Sequence, residues 1–342
     1  MSVSRVSVQL QAVYGELLGR LQAAQVDGMA EHEGAFATKK VSGRTYWYFR
    51  RRVAGKVVER YVGPDSPDLR DRIAGARELA RDAQAAARGR RELVRLLRSA
   101  GLPVPDARTG RLLQALAVAG AFRLRAVLVG THAFRCYGPM LGVRLPAEAA
   151  LTSDVDLAQF QTVSVALGDA LDDDLETVLA RVDRFTPVPG LHAPTVSTAW
   201  KSADRALELE LLTPMVGPPD EEPRRLPALR AHATPLRFLD YLIFRTEAAA
   251  VPHGAGVLVN VPAPERFACH KLLVSQRRHG PHRAKAAKDI AQAAALVEVL
   301  AEDRPGDLAD AWADLVGRGG HWRDAAERGA ARLPGDLARA LG

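Results

Sequence analysis

Cysteine is nearly missing from this sequence. Two residues, Cys136 and Cys269, in a chain of 342 are too few for a disulfide framework, so the protein reads as a reduced one. Long apolar runs are missing too. None approaches the roughly 18 residues that a membrane-spanning helix needs, and no membrane association is expected. The opening stretch MSVSRVSVQLQAVYGELLGRL alternates apolar with polar residues and lacks the hydrophobic segment of a secretory signal. These absences together point to a cytoplasmic protein. Familiar site signatures are also lacking. There is no GxGxxG or Walker-type loop, since RHGPHRAK has no GK[ST] ending, and no G-x-S-x-G nucleophile elbow. The nine histidines show no metal spacing. His270 beside Cys269 and His132 near Cys136 are isolated pairs on expected helices, which favours packing or capping over zinc.

What is present is ordinary globular composition, 47% apolar and 25% charged. At about 150 residues per domain, the length implies two domains with room for an appendage. The net charge is +7, from 47 Lys and Arg against 40 Asp and Glu. A basic balance favours nucleic acid, nucleotides or phosphates as partners. An Ala/Arg-rich composition alone gives the same figure, so the charge by itself selects no function.

The apolar spacing of Val6, Leu10, Val13, Leu17 and Leu21 predicts a helix over 6–27. Tyr46–Phe49, an Ala54-Gly55 turn and Val57–Val62 predict a hairpin, and 67–99 a helix with Pro67 in its first turn. Arg50, Arg51 and Arg52 follow the aromatic run. Such a mixture stacks on bases and holds phosphates, or else forms a hairpin core with one basic face, and the second reading is preferred. PVPDARTG, 103–110, reads as a linker. Beyond it the expected order is helix 111–122, strand 126–129, helix to about Leu141, a strand within 151–160 and helix 172–182. Strands follow at 196–201 and 206–212, then a hairpin at 248–260. From Pro264 the chain reads as helix to the end, broken near Gly280, Pro305 and Gly317. The division is therefore 1–102, 103–262 and 263–342.

One constellation carries chemistry: VLVGTHAF, SDVDLAQF and LELELLTP. Successive strand residues alternate faces, so Asp154 and Asp156 project to one side. Two carboxylates that close repel unless a cation sits between them, and hard oxygen ligands of this kind suit Mg²⁺. Gly130-Thr131 ends a strand and opens a helix, where free N–H groups and the helix dipole favour phosphate. Thr131 also reads as a helix N-cap. Glu208 and Glu210 alternate onto one face of a later strand, with Glu210 the better third acid. Asp172-Asp173-Asp174 reads as a helix cap with favourable dipole charge. Lys271 and Arg278, seven residues apart, are expected on one helix face, as a phosphate clamp or as part of a solvated basic helix.

Strand–Gly-Thr–helix, Asp-x-Asp on a strand and an acid on a third strand resemble the DNA polymerase β-like nucleotidyltransferase superfamily, over about residues 110–300. The resemblance implies an α+β fold, with a short mixed sheet and flanking helices. An N-terminal helix–β-hairpin–helix appendage (1–102) and a C-terminal helical region (263–342) would flank that core. It further implies transfer of a nucleoside monophosphate from an NTP to a hydroxyl, assisted by Mg²⁺ or Mn²⁺ held by Asp154, Asp156 and Glu210. Gly130, Thr131, Lys271 and Arg278 would bind the nucleotide. Glu210 departs from the Asp common at the third position, and GPMLGVRLPAEAAL lengthens the gap between the first two motifs. The sequence is similar to a bacterial branch of unassigned substrate, and more loosely to abortive-infection and toxin-type nucleotidyltransferases. In that last comparison Lys271, Arg278 and Lys288-Asp289 would occupy the positions of a Lys, an Arg and a basic–Asp pair. It implies an antitoxin partner and brings RNA, tRNA ends in particular, among the acceptors. A non-catalytic module that grips nucleic acid or a partner on the same fold is the remaining alternative.

Overall fold

A computed structural model describes residues 3–26, 35–41, 43–53, 56–146, 154–166, 168–190, 196–278, 280 and 283–341. Strand β1 (Ser4–Arg5) and helix α1 (Val8–Val26) come first. Strands β2 (Ala35–Val41), β3 (Arg44–Val53) and β4 (Lys56–Pro64) then form an antiparallel sheet in that order. The expected hairpin is thus a three-stranded sheet. The added strand, AFATKKV, escapes a pattern search because alanine and lysine are poor strand formers and only its pairing with β3 holds it extended. The Ala54-Gly55 turn lies outside the described residues. Helix α2 (Pro67–Ser99) starts as expected, with Pro67 in the first turn and the Leu69 N–H donating to Ser66 Oγ.

Helix α3 (Ala107–Val118) begins inside the expected linker. Asp106 caps it by accepting from the N–H groups of Arg108 and Thr109, so only 103–105 remain outside regular structure before the cap. Strand β5 (Val127–Val129) leads into α4 (Gly130–Leu141), and Gly142, left-handed at φ +66°, ends that helix. Next come β6 (Val143–Arg144), β7 (Asp154–Ala158), α5 (Gln161–Ala166), α6 (Leu175–Ala180), β8 (Phe185–Val188) and β9 (Ala199–Ser202). Strand β10 (Glu208–Pro214) is followed by β11 (Arg224–Leu226), β12 (Ala231–Leu236), α7 (Leu239–Ile243) and the hairpin β13 (Thr246–Val251) and β14 (Val257–Pro262). Helices α8 (Pro264–Ser275), α9 (Arg283–Asp303), α10 (Pro305–Gly317), α11 (Gly320–Ala330) and α12 (Gly335–Arg339) complete the chain.

The central sheet runs β11-β12-β10-β7-β5, with β9 also paired to β10 and β8 to β9. Strands β7, β10 and β12 are mutually parallel, while β5 is antiparallel to β7. The main core fills the space between this sheet and helices α3, α4 and α8–α11. A smaller core joins Tyr14, Leu17 and Leu21 of α1 to Val94 and Leu97 of α2 and Ala250 of β13. The Ala250 N–H donates to Tyr14 Oη at 3.1 Å, so α1 and the end of α2 are seated on the hairpin. Among the described residues, no helix is long and apolar enough to cross a membrane.

Candidate active site

Alternation along two parallel strands builds the acidic wall. Asp156 of β7 lies in register with Glu210 of β10 on one side and with Val129 of β5 on the other, and Asp154 lies in register with Glu208. Adjacent strands are about 4.8 Å apart. The intervening residues Val155, Leu157, Leu209 and Leu211 point the other way and are at most 1% exposed. This fixes the register. A one-residue slip of either strand would expose two of these apolar side chains, at roughly 1.5–3 kcal/mol each, and bury two carboxylates in their place.

The wall is electrostatically strained. Burial, then the charge of Asp154, pushes Asp156 up to about 6. Burial, then Asp156 and the other two acids, pushes Glu210 up to about 7. Glu208 already has a cation, since Lys201 on β9 reaches it at 3.2 Å. This contact leaves Glu210 as the better partner for Asp156. Among the described residues, no three His, Cys, Asp or Glu side chains stand gathered closely enough to hold a metal ion. The donor set still fits one. Asp156 and Glu210, pushed up by burial and by neighbouring carboxylates, would be relieved by a shared cation, and all-oxygen donors match Mg²⁺ or Mn²⁺.

Gly130 ties the first motif to the second. Its φ is +65°, and a Cβ built there would lie 2.3 Å from Asp156 Oδ2. The glycine makes room for the Asp156 carboxylate itself, a purpose beyond the approach of phosphate. The N-cap of α4 is Val129, which makes no side-chain cap hydrogen bond. Thr131 is therefore not the cap. The first turn of α4, beside the acidic wall, presents N–H groups with no capping side chain.

The basic residues converge differently from expectation. Helix α8 ends at Ser275 and is capped at Gln276, so Arg278 lies past the helix and not on its face. Asp289 of α9 gathers the two instead: Lys271 Nζ donates to its Oδ1 at 2.6 Å and Arg278 Nε to its Oδ2 at 2.9 Å. Although burial works to raise it, the carboxyl of Asp289 is held below the usual carboxylate range by these two cations. Lys271 is buried, lies 5.2 Å from the Phe267 ring centroid, and opposes the rise of Asp156. Lys285, which the sequence reading passed over, opposes the rise of both Asp156 and Glu210. Burial, together with Lys271, Lys285 and Arg135, holds Lys288 below its ordinary value. The spacing of Lys285, Lys288 and Asp289, at i, i+3 and i+4 on one helix face, was the available signal.

Other candidates fall elsewhere. Asp174 caps α6 by accepting from the Thr177 N–H at 2.7 Å, and Asp173 pairs with Arg181. His132 is buried with Nε2 unpartnered and is lowered to about 4, chiefly by burial and Arg135. Cys136 and Cys269 are buried thiols, and Cys136 Sγ contacts the His132 carbonyl at 3.4 Å.

Residues 107–317 match the model of a nucleotidyltransferase family, and residues 8–71 match that of a domain of unknown function. No curated protein matches the chain. Among solved structures, it is similar to an antigenic nucleotidyltransferase-like protein from Paracoccidioides brasiliensis. That likeness has 15% identity and a TM-score of 0.31, over 64% of this chain and 93% of the other. The match over 107–317 takes in every element of the acidic wall, α4 and the basic pair, and by it the chain belongs to the nucleotidyltransferase family.

Proposed function

We propose that the protein transfers a nucleoside monophosphate from an NTP to a hydroxyl acceptor, releasing pyrophosphate. The observation that carries this reading is the juxtaposition of Gly130, Asp156 and Glu210: a helix start with uncapped N–H groups lies directly against paired, strained carboxylates. In the reaction the acceptor oxygen forms a bond to the α-phosphorus. The bond from that phosphorus to the bridging oxygen breaks, its electron pair leaves with pyrophosphate, and the hydroxyl proton passes to solvent. Asp154, Asp156 and Glu210 would hold Mg²⁺ or Mn²⁺, which when bound would supply charge neutralisation and a more acidic acceptor hydroxyl.

The chain's own groups orient the substrates. Gly130 and Thr131 receive the triphosphate at the start of α4. Lys271 acts as a point charge and Arg278 as a fork on the leaving pyrophosphate, both held in place by Asp289. Lys285 of α9 adds positive charge near the acids, opposing the rise of Asp156 and Glu210.

The Lys271–Asp289–Arg278 arrangement favours a second reading of acceptor, the toxin-type modification of tRNA ends with an antitoxin as partner. Incubation with each α-labelled NTP, Mg²⁺ and total cell RNA or protein tests both. Label entering a macromolecular fraction is expected, and entry into tRNA selects the second reading. Failure to consume any NTP, with no Mg²⁺-dependent nucleotide binding by calorimetry, overturns the enzymatic reading in favour of a binding module.

A further inference from the structure

The excess positive charge has an address. Residues 35–102 carry 17 Lys and Arg against 7 Asp and Glu, a net +10, while the rest of the chain sums to −3. The acidic wall therefore belongs to a slightly acidic body, and the basic character is that of β2–β4 and α2.

The β2–β4 sheet has two unlike faces. On one, Trp47, Phe49 and Phe36 are half-buried. The Phe36 and Phe49 rings are 5.1 Å apart, Trp47 Nε1 donates to Asp65, and Arg77 of α2 lies over Trp47 and donates to the Phe36 carbonyl. On the other face, β3 alternation and register bring together Arg44, Tyr46, Tyr48 and Arg50, with Lys39 from β2 and Tyr61 and Glu59 from β4. Tyr61 is 54% exposed and lies 6.2 Å from Tyr46 and 5.7 Å from Tyr48, centroid to centroid. Lys39 Nζ is 5.1 Å from the Tyr48 centroid. Glu59 pairs with both Lys39 and Arg50, leaving the face net positive.

We infer that this tyrosine face is a docking surface for single-stranded RNA. The exposed Tyr61 ring, with the half-buried Tyr46 and Tyr48 beside it, offers stacking planes to bases of any sequence, and the surrounding cations track the backbone. The rings turned outward are tyrosines, and those turned toward α2 are phenylalanine and tryptophan. Phenolic hydroxyls supply donors and acceptors for ribose 2′-hydroxyls, which distinguish RNA from DNA. As the seat of the acceptor strand this surface deepens the nucleotidyl-transfer reading and rests on it; the binding itself does not.

The test is fluorescence anisotropy with the full chain and labelled U₁₂ RNA, without NTP or divalent ion. Binding should weaken at least about fivefold in Tyr61→Ala and further in Tyr46→Ala/Tyr61→Ala. Arg44→Ala should reduce the slope of log K against log salt by about 0.7. Glu59→Gln, which releases two cations, should tighten binding, an effect that misfolding would not produce. Asp156→Ala should bind as the wild type, which separates this surface from the catalytic reading. Absence of binding by the wild type, an unchanged affinity in Tyr61→Ala, or equal affinity for the matching DNA overturns the inference.

Discussion

The two sheets of this protein handle charge in opposite ways. In the central sheet, four carboxylates sit half-buried on β7 and β10, directly above a layer of fully buried leucine and valine. In the β2–β4 sheet, exposed cations surround one exposed and two half-buried tyrosines. Burial pushes Asp156 and Glu210 up in the first case, and the register needed for folding keeps the carboxylates together. A site of that kind is specific in position and depends on single residues. The second surface spreads its charge over many side chains and depends on their sum. The lesson is that mutations in the two regions should differ in kind: large and localised in one, graded in the other.

The largest expected effect breaks the first region alone. Asp156→Ala should lower NTP turnover at least about 10²-fold, because charge stabilisation at the reacting phosphate supplies most of the acceleration. Initial rates with labelled NTP would show this, and undiminished turnover would remove Asp156 from the chemistry. Gly130→Ala comes next. The left-handed conformation costs about 1–2 kcal/mol with a Cβ, and the methyl group must displace the Asp156 carboxylate. Turnover should fall about tenfold or more with a lower melting temperature; an unchanged rate would show that the carboxylate position is not critical.

Asp289→Asn should act on a different step. It leaves Lys271 and Arg278 without the anion that orients them, so KM for NTP should rise several-fold more than kcat falls, and the loss of a buried ion-pair partner should lower the melting temperature. A kcat loss with unchanged KM would contradict a role in holding the pyrophosphate.

The smallest effect sharpens the contrast between regions. Asp156 and Glu210 titrate higher folded than as free side chains, at about 6 and about 7. Their contribution to stability is therefore fully present at low pH, below the unfolded values, and is lost as pH rises through about 6 to 7. If Mg²⁺ is held there it binds the ionised pair, and it should then raise the melting temperature more at pH 8 than at pH 5.5. The same pH dependence persisting in Asp156→Ala would place the ion elsewhere.

Much of the site was legible because strand alternation is a local property. Asp154 and Asp156 could be placed on one face of one strand, and Glu208 and Glu210 on one face of another, from spacing alone, and Gly130 at a helix start from the string VLVGTH. Their convergence could not be, since parallel pairing of β7 with β10 is set by strand order and by core packing far along the chain. Lys271 and Arg278 were found, but the reason they meet was not: Asp289 lies on another helix, and the helix that would have aligned the pair stops three residues short of Arg278. The short elements β8, β11, β12 and α7 also escaped, because three to six residues show no period and depend on neighbours in the sheet or core. Strand β2 was missed for its weak composition, and the tyrosine face for want of the strands beside it.

The most direct test of the central claim is anomalous diffraction from crystals grown with Mn²⁺ and a non-hydrolysable NTP analogue. The account predicts manganese bound by Asp154, Asp156 and Glu210, with the triphosphate running along the start of α4 toward Lys271. Manganese bound away from these three carboxylates, or an analogue seated elsewhere on the protein, would contradict it.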